Sequence, residues 1–572
     1  MSARYDLVIR DGHIIDGSGA PGFDGDVAVS DGRISALGSF PGTGREEVSA
    51  KGQIVTPGFV DIHTHYDGQA TWDSRLTPSA WHGVTTAVMG NCGVGFAPCR
   101  SQDQGLLIKL MEGVEDIPNA VLTEGLDWRW ESFADYLSAL ERIPHDIDFA
   151  TQLPHGALRV YVMGARGANR EPATPDDIAQ MAAIAEEAVR AGALGFSTSR
   201  TLNHRTADGD PTPTLTAASD ELTGIAQGLG RAGAGVLQVV SDFADPSAET
   251  QMLAQMVRQS GRPLSFSLLQ SDRAPEAWRA LLSWVSACNA QGLPVKAQTC
   301  GRPVGLLLGL QLTLNPFSAH PAYARILHLP FEARLAAMRE PQMRQALLGD
   351  APSSDNPFVK AVLRNYAKMF LLSDPPDYEP PAHLSLGAQA QARGMRPEEL
   401  AYEWTLAEDG RAMILFPFLN YAHDSLDAAY EMMQHPSAIL GLGDGGAHVG
   451  MICDGSFPTS MLTHWTRDRR RGPKLSLPWV VRAQTRTTAE AVGLLDRGLI
   501  KPGYKGDLNV IDYDRLTLHR PGIAHDLPAG GRRLVQRARG YTATIVSGQI
   551  TYRDGVPTNA LPGRLIRGAQ GL

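Results

Sequence analysis

The sequence predicts an α/β fold, a (βα)8 TIM barrel with a small β-sandwich domain built from both chain termini. Eight short apolar runs, separated in several places by amphipathic helices, are typical of such a barrel. Short alternating segments between glycine turns at the two ends of the chain predict the sandwich. The 572 residues, of which 43% are apolar, are enough to bury more than one core.

The sandwich is predicted in two parts that flank the barrel. Alternating strand-like segments fill residues 5–56, and the same pattern returns at 506–514 and 541–555. We expect residues 1–56 to form the first part. The second part, 481–572, is expected to begin with the last barrel helix and to complete the sandwich.

The barrel is predicted over residues 57–480, with one large insertion. Its eight strands are expected in the apolar runs at 59–63, 85–90, 148–154, 193–199, 235–241, 263–270, 294–299 and 438–444. A helix with Thr174 as N-cap and Pro175 at its first position precedes the fourth run. About 135 residues separate the last two runs, too many for one crossover. We therefore expect a largely helical insertion at about 300–435 that covers the pocket.

The first and last apolar runs end in side chains that bind metals. His63 and His65 are two positions apart on a strand, so their imidazoles point the same way. Asp444 ends the eighth run, which a barrel places beside the first strand. Two imidazoles, a carboxylate and an open position form a catalytic zinc site. We predict that these residues bind metal and that Asp444 is the catalytic base for a metal-activated water.

Four segments resemble the amidohydrolase superfamily, in particular its D-aminoacylase (N-acyl-D-amino-acid deacylase) branch. They are "IVTPGFVDIHTHYDGQ", "GVTTAVMGNCGVGFAP", "GALGFSTS" and "GLLDRGLIKPGYKGDLNVID". The resemblance covers most of the chain and is weak between about 300 and 435. It implies Zn²⁺ as cofactor, one or two ions per chain, and it implies that Cys92 of the GNCG motif is a further metal ligand. Without the motif, a lone cysteine is more often a small buried apolar residue.

The chain departs from that family at the second metal position. The histidines that family members carry on the fifth and sixth strands correspond to Val240 and Leu268, and the fourth run has no lysine. Either one metal is bound or other side chains have replaced the missing ligands. His155, His204 and His448 are the candidate substrate-binding residues or additional ligands, and a solvated loop histidine is the alternative for each.

The substrate-binding residues of the family are also altered. The lysine expected after the sixth strand is Gln270, and the expected tyrosine and arginine are missing from "QTCGRPVG" and "GDGGAHVGMICDGS". Arg302 is a candidate replacement, because a guanidinium binds a carboxylate through two hydrogen bonds. Surface or bracing roles fit Arg302 equally well. Without a clamp, a free carboxylate would be desolvated unpaired, which favours a larger or more apolar amide.

These observations predict a hydrolase of linear amide C–N bonds, acting on an N-acyl amino acid or a related N-acyl amide. A cyclic amide, carbamate or ester would need the same attack, so these substrates remain alternatives. A non-catalytic ligand-binding barrel is the alternative of another class. A Ser-His-Asp hydrolase is disfavoured, since "GFSTS" is not G-x-S-x-G.

Charge and composition narrow the choice of partners. The net charge of −9 argues against nucleic-acid and anionic-membrane binding, so a small-molecule amide is the expected partner. A homo-oligomer is left open. No secretory signal or membrane-length apolar stretch is present, which predicts a cytoplasmic protein, and the five scattered cysteines are expected to be reduced thiols.

Overall fold

The computed structural model describes residues 4–349 and 357–572, and it confirms the predicted fold class. Eight parallel strands surround the barrel axis, and each overlaps one of the predicted apolar runs. They are Phe59–Asp61, Val84–Met89, Asp148–Thr151, Gly195–Arg200, Val236–Ser241, Leu264–Ser267, Val295–Thr299 and Ala438–Leu440. We number them barrel strands one to eight.

Hydrogen bonds continue around the ring at the two places where the strand pairing changes. After strand three, Leu153–Pro154 pairs with strand four in parallel. Strands one and eight meet at a parallel bridge between Thr64 and Gly445. Beside it, the N–H of Asp444 donates to the carbonyl of His63 at 2.9 Å. The end of the first strand and the end of the last are therefore held in contact by the backbone.

Helices form the outer layer of the barrel. The predicted helix before strand four is Pro175–Ala191, and Thr174 caps it with a hydroxyl that accepts from the N–H of Asp177. The other helices around the barrel are Gln104–Glu115, Asn119–Gly125, Phe133–Glu141, His155–Met163, Ser219–Ala232, Pro246–Ser260, Ala277–Ala290, Leu477–Gln484 and Arg486–Ala491. Among the described residues, we find no helix with the length and apolar character needed to cross a bilayer.

Strands from both chain ends form one nine-stranded sheet. Its strands are Arg4–Ile14, Phe23–Ser30, Arg33–Gly38, Thr43–Ser49, Ile54–Pro57, Leu508–Ile511, Tyr541–Val546, Gln549–Arg553 and Val556–Pro557. The two halves join where Ile54–Pro57 pairs antiparallel with Leu508–Ile511. Apolar side chains from both ends, including Val55 and Val510, share one buried core. The predicted β-domain thus unites the two termini.

The segment between strands seven and eight mixes helices with a small sheet. Its three antiparallel strands are Val304–Leu308, Phe370–Leu371 and Ile414–Leu419. Its described helices include Phe331–Arg339, Pro341–Gly349, Pro357–Leu363, Leu386–Arg393, Pro397–Gly410 and Asp427–Gln434. The sheet was not expected in a largely helical insertion. Its apolar strands form the core of the insertion, with Leu306 and Ile414 among the buried residues.

A β-hairpin interrupts the C-terminal part of the β-domain. Its strands, Gly522–Leu527 and Gly531–Val535, lie in sequence between two strands of the nine-stranded sheet. The N–H of Leu534 donates to the carbonyl of Val449, which follows barrel strand eight. The hairpin therefore extends from the β-domain to the functional end of the barrel.

A buried group of charges connects the base of the barrel to the β-domain. Arg497 donates to Asp148, which begins strand three, at 2.8 Å, and to Thr86 of strand two at 2.9 Å. Lys505 lies 2.7 Å from the same Asp148 carboxylate and 3.0 Å from Asp507. Each buried charge has an opposite partner, so removal of one leaves the remaining buried charges out of balance.

Replacement of Arg497 should therefore destabilise the protein. Arg497→Met is expected to lower the free energy of unfolding by about 3 to 5 kcal/mol, because it leaves the Asp148 carboxylate buried with fewer partners. Urea unfolding followed by circular dichroism measures the change. Arg190→Met, which removes an exposed ion pair with Glu186, is the control and should change stability much less. Equal effects of the two substitutions would contradict a structural role of the buried group.

Candidate metal centre and active site

Four side chains predicted to bind metal converge at the functional end of the barrel. The Nε2 atom of His63 lies 3.2 Å from the Sγ of Cys92 and 3.5 Å from an Oδ1 of Asp444. The Nε2 of His65 is 3.6 Å from the same carboxylate oxygen. The donor atoms of the two histidines and the cysteine all lie within 4.8 Å of one another. The structure thus brings together the four residues, and we name them the donor cluster.

The spacing of the donor cluster suits one tetrahedral ion. Ligand atoms about 2.0 to 2.3 Å from a shared zinc ion lie roughly 3.3 to 3.8 Å apart. The distances from the two histidines to Asp444, 3.5 and 3.6 Å, lie in this range, and the 3.2 Å from His63 to Cys92 is just below it. Imidazole nitrogen, thiolate sulfur and carboxylate oxygen are the ligand types that zinc takes in proteins. The residues present therefore fit this metal.

His63 is held in the orientation that a metal ligand requires. Its Nδ1 lies 2.9 Å from the Oε1 of Gln298, on strand seven, so Nδ1 carries the proton and Nε2 keeps its lone pair. Burial lowers the pKa of His63 to about 4. A neutral imidazole therefore directs a free nitrogen at the donor cluster.

Cys92 is positioned by a backbone turn after strand two. Its φ of +55° is unusual for a residue with a side chain. The turn is held because the N–H of Cys92 donates to the Oε1 of Gln238 at 3.0 Å, and the N–H of Gly93 donates to the Oγ of Ser197 at 2.9 Å. Burial raises the pKa of the Cys92 thiol to about 11. A cation would therefore have to displace its proton on binding.

Asp444 stays ionised and is the most accessible member of the donor cluster. Its side chain is 15% exposed, whereas those of His63 and His65 are 1% exposed. Burial alone raises the pKa of this carboxyl, but the nearby imidazoles of His65 and His63 outweigh it and lower the pKa far below its usual range. Asp444 can therefore accept a proton from a water at the pocket side of the cluster.

Two of the candidate histidines lie at the rim of the donor cluster. The Nε2 of His448 is 3.6 Å from an Oε2 of Glu115, which also contacts His65. The Nδ1 of His204 lies 2.9 Å from the Oγ of Ser199. Burial and the imidazoles of His448 and His65 lower the pKa of His204 to about 3. Both residues lie near the cluster, and their role in binding a substrate or a metal stays a prediction.

His155 and Arg302 form hydrogen bonds with protein groups outside the donor cluster. Both ring nitrogens of His155 are occupied, one by the Oγ1 of Thr198 at 2.8 Å and the other by Glu221 at 3.0 Å. Arg302 donates to Asp454 and to the carbonyl of Cys453. Both ring nitrogens of His155 therefore already have buried protein partners, whereas the buried Nε of Arg302 has no hydrogen-bond partner among the described residues. A role of either residue in substrate or metal binding stays a prediction.

Sequence reasoning missed three polar residues that contact the predicted ligands. Gln238 and Gln298 are polar residues within apolar strands five and seven, and that interruption was a usable signal. Glu115 ends the helix Gln104–Glu115 after strand two, where no pattern distinguishes it from a surface carboxylate. Val240 and Leu268 are apolar residues of the barrel core and offer no donor atom for a metal.

Comparison with known proteins decides the family. The profile of the amidohydrolase family matches residues 46–552. The chain belongs to the amidohydrolase family. This match confirms the resemblance predicted from the four sequence segments and the predicted class, a hydrolase of non-peptide C–N bonds.

Relatives of this amidohydrolase lie in the predicted branch. It is 28% identical to the N-acyl-D-aspartate deacylase of Alcaligenes xylosoxydans xylosoxydans over 520 residues, which cover 90% of this chain and 87% of the relative. The crystal structure of a D-aminoacylase matches with a TM-score of 0.63 at 24% identity, over 99% of this chain and all of that chain. The N-acyl-D-glutamate deacylase from Bordetella bronchiseptica, complexed with zinc and a phosphonate inhibitor, matches with a TM-score of 0.64 at 22% identity, over 99% of this chain and all of that chain. The structural matches establish the fold.

Cobalt substitution should reveal the thiolate ligand of this amidohydrolase. Co²⁺ bound to the donor cluster is expected to show a thiolate-to-metal charge-transfer absorption that Cys92→Ser removes, because only a coordinated sulfur produces it. Cys99→Ser, which alters another buried free thiol, is the matched control and should keep the band. Persistence of the band in Cys92→Ser would exclude Cys92 as the ligand.

Proposed function

We propose that this amidohydrolase uses one or two zinc ions to hydrolyse the amide bond of an N-acyl amino acid or a related N-acyl amide. The observation that carries the proposal is the convergence of two imidazoles, a thiol and a carboxylate within 3.2 to 3.6 Å at the functional end of the barrel. Relatives that are N-acyl-D-amino-acid deacylases, one of them with zinc bound, support the same chemistry.

The residues of the donor cluster have different roles in amide cleavage. Zinc bound there would act as a Lewis acid toward the amide carbonyl and toward water. His63, His65 and Cys92 would hold the ion in a site closed to bulk solvent. The ionised Asp444 carboxylate, at the accessible side, takes a proton from the attacking water and returns it to the departing nitrogen. One carboxylate thus serves first as general base and then as general acid.

The surroundings of Asp444 favour a substrate with an uncharged, apolar group. A pocket begins at Asp444 and the loop that follows it. Apolar side chains form much of its wall, among them Trp72, Ile117, Val449, Ile452, Leu527 and Leu534. An apolar group placed in this cavity would leave water and contribute binding energy in proportion to the buried area.

Guanidinium groups near this cavity are already paired. Arg533, which contributes to the wall, donates to Asp526 at 2.7 Å, and Arg302 pairs with Asp454. Gln270, which stands where the family has a lysine, accepts from the N–H of Ala422 and donates to the carbonyl of Pro275. None of the three offers a free positive charge. A substrate carboxylate would have to bind elsewhere, which favours large apolar amides over small acidic ones.

Replacement of Asp444 tests the reaction. Asp444→Ala is expected to lower kcat by at least about 10²- to 10⁴-fold, because the base is lost together with a metal ligand. The assay is a panel of N-acyl amino acids of both hands and varied acyl length with zinc-loaded protein, and cyclic amides and esters are included in the same panel. Asp208→Ala, at an exposed loop carboxylate, should retain wild-type kcat. Undiminished turnover by folded Asp444→Ala would remove this residue from the mechanism.

Shortening a wall residue tests the apolar substrate class. Leu534→Ala should lower kcat/KM for a long apolar N-acyl substrate by about 10-fold or more relative to its acetyl analogue, since it removes apolar contacts from the cavity. Val556→Ala, at a residue that is 64% exposed on the β-domain, is the control and should leave the ratio unchanged. An unchanged ratio in Leu534→Ala would show that the apolar group binds elsewhere.

A further inference from the structure

Glu115 is a buried carboxylate that contacts two histidines at the active site. It ends the helix Gln104–Glu115, and its residue surface is only 1% exposed. Its Oε1 lies 3.2 Å from the Nδ1 of His65, and its Oε2 lies 3.6 Å from the Nε2 of His448. Glu115 therefore faces a residue that follows strand one and a residue that follows strand eight.

The backbone fixes Glu115 against the loop after strand eight. Its carbonyl accepts from the N–H of His448 at 2.5 Å. The next residue, Asp116, accepts from the N–H of Gly450 at 3.0 Å and from the hydroxyl of Thr313, in the insertion. The pair 115–116 thus joins three segments around the active site. Its position depends on main-chain contacts as well as on the two histidines.

The hydrogen bonding around Glu115 requires a proton on the Nδ1 of His65. That nitrogen and the Oε2 of Glu115 are both buried, and neither has a hydrogen-bond partner of good geometry within the described structure. Buried polar groups of this kind are costly unless they are paired. When a histidine binds a metal through Nε2, its Nδ1 carries the proton and donates it to a carboxylate or carbonyl. Glu115 is the carboxylate placed to receive it.

We propose that Glu115 is a positioning residue that orients His65 for metal binding and holds His448 beside the donor cluster. The inference rests on the proposed metal-dependent function. In this arrangement the carboxylate of Glu115 accepts a hydrogen bond from the Nδ1–H of His65. The Nε2 of His65 then carries the lone pair that faces the cation. The carboxylate also makes the imidazole a stronger ligand, because it stabilises the positive charge that develops on the ring.

The chain offers a matched control in a second buried glutamate. Glu221 is also 1% exposed, and its carboxylate lies 3.0 Å from the Nε2 of His155 and 2.8 Å from the Nε of Arg159. Neither partner belongs to the donor cluster. Removal of the Glu221 charge therefore disturbs a buried carboxylate–histidine pair without a direct effect on the metal ligands.

The test compares the zinc affinity of the full-length wild type, Glu115→Gln and Glu221→Gln by competition with a chromophoric chelator. Glu115→Gln is expected to weaken binding about 10- to 100-fold, and to change the visible spectrum of bound Co²⁺, while Glu221→Gln binds as the wild type does. Zinc affinity of Glu115→Gln within twofold of the wild type would overturn the proposal. An equal loss of zinc affinity in Glu221→Gln would also overturn it. So would the loss of a second bound ion per chain in Glu115→Gln, because that result would make Glu115 a metal ligand.

Further outcomes separate this inference from the proposed function. A wild-type protein that binds no divalent ion would refute the metal-dependent function itself, whereas equal binding by wild type and Glu115→Gln refutes only the positioning role. If Glu115→Gln does not fold, Glu115→Asp retains the charge and retracts it by one methylene. That variant should still show weakened zinc binding, because the carboxylate no longer reaches His65, and unchanged binding would overturn the proposal.

Discussion

The contact between the first and last barrel strands is the constraint on which the active site depends. The Thr64–Gly445 bridge and the hydrogen bond from Asp444 to the carbonyl of His63 place the ends of two strands side by side. His63 and Asp444 are 381 positions apart in sequence, yet they share one backbone junction. Metal ligands carried by rigid strand ends need little rearrangement to bind an ion.

The interior of the barrel is polar where it supports this junction. Gln298 accepts from His63, and Gln238 accepts from the N–H of Cys92, so two side-chain amides orient two predicted ligands. Uncharged amides satisfy these donors without a further buried charge. The donor cluster therefore keeps Asp444 as its ionised member, while His63 stays neutral because burial lowers its pKa to about 4.

Elements outside the barrel shape the pocket in which this chemistry would act. The hairpin of the β-domain contributes Leu527 and Leu534 to the cavity wall, and Asp116 ties the strand-eight loop to Thr313 of the insertion. Arg302 and Arg533 stabilise these segments through ion pairs with protein carboxylates. The positive charges of both arginines therefore stabilise the protein around the pocket.

The sequence by itself predicted the strands, the β-domain and His63, His65 and Asp444 of the donor cluster, and the resemblance to the family added Cys92. Apolar runs and an HxH pair are local patterns, and a barrel necessarily brings its first and eighth strands together. Only the tertiary structure showed that Glu115 faces His65 and that Arg302 is paired with Asp454. Such contacts join residues far apart in the chain, and local sequence carries no information about which distant side chain satisfies a buried charge.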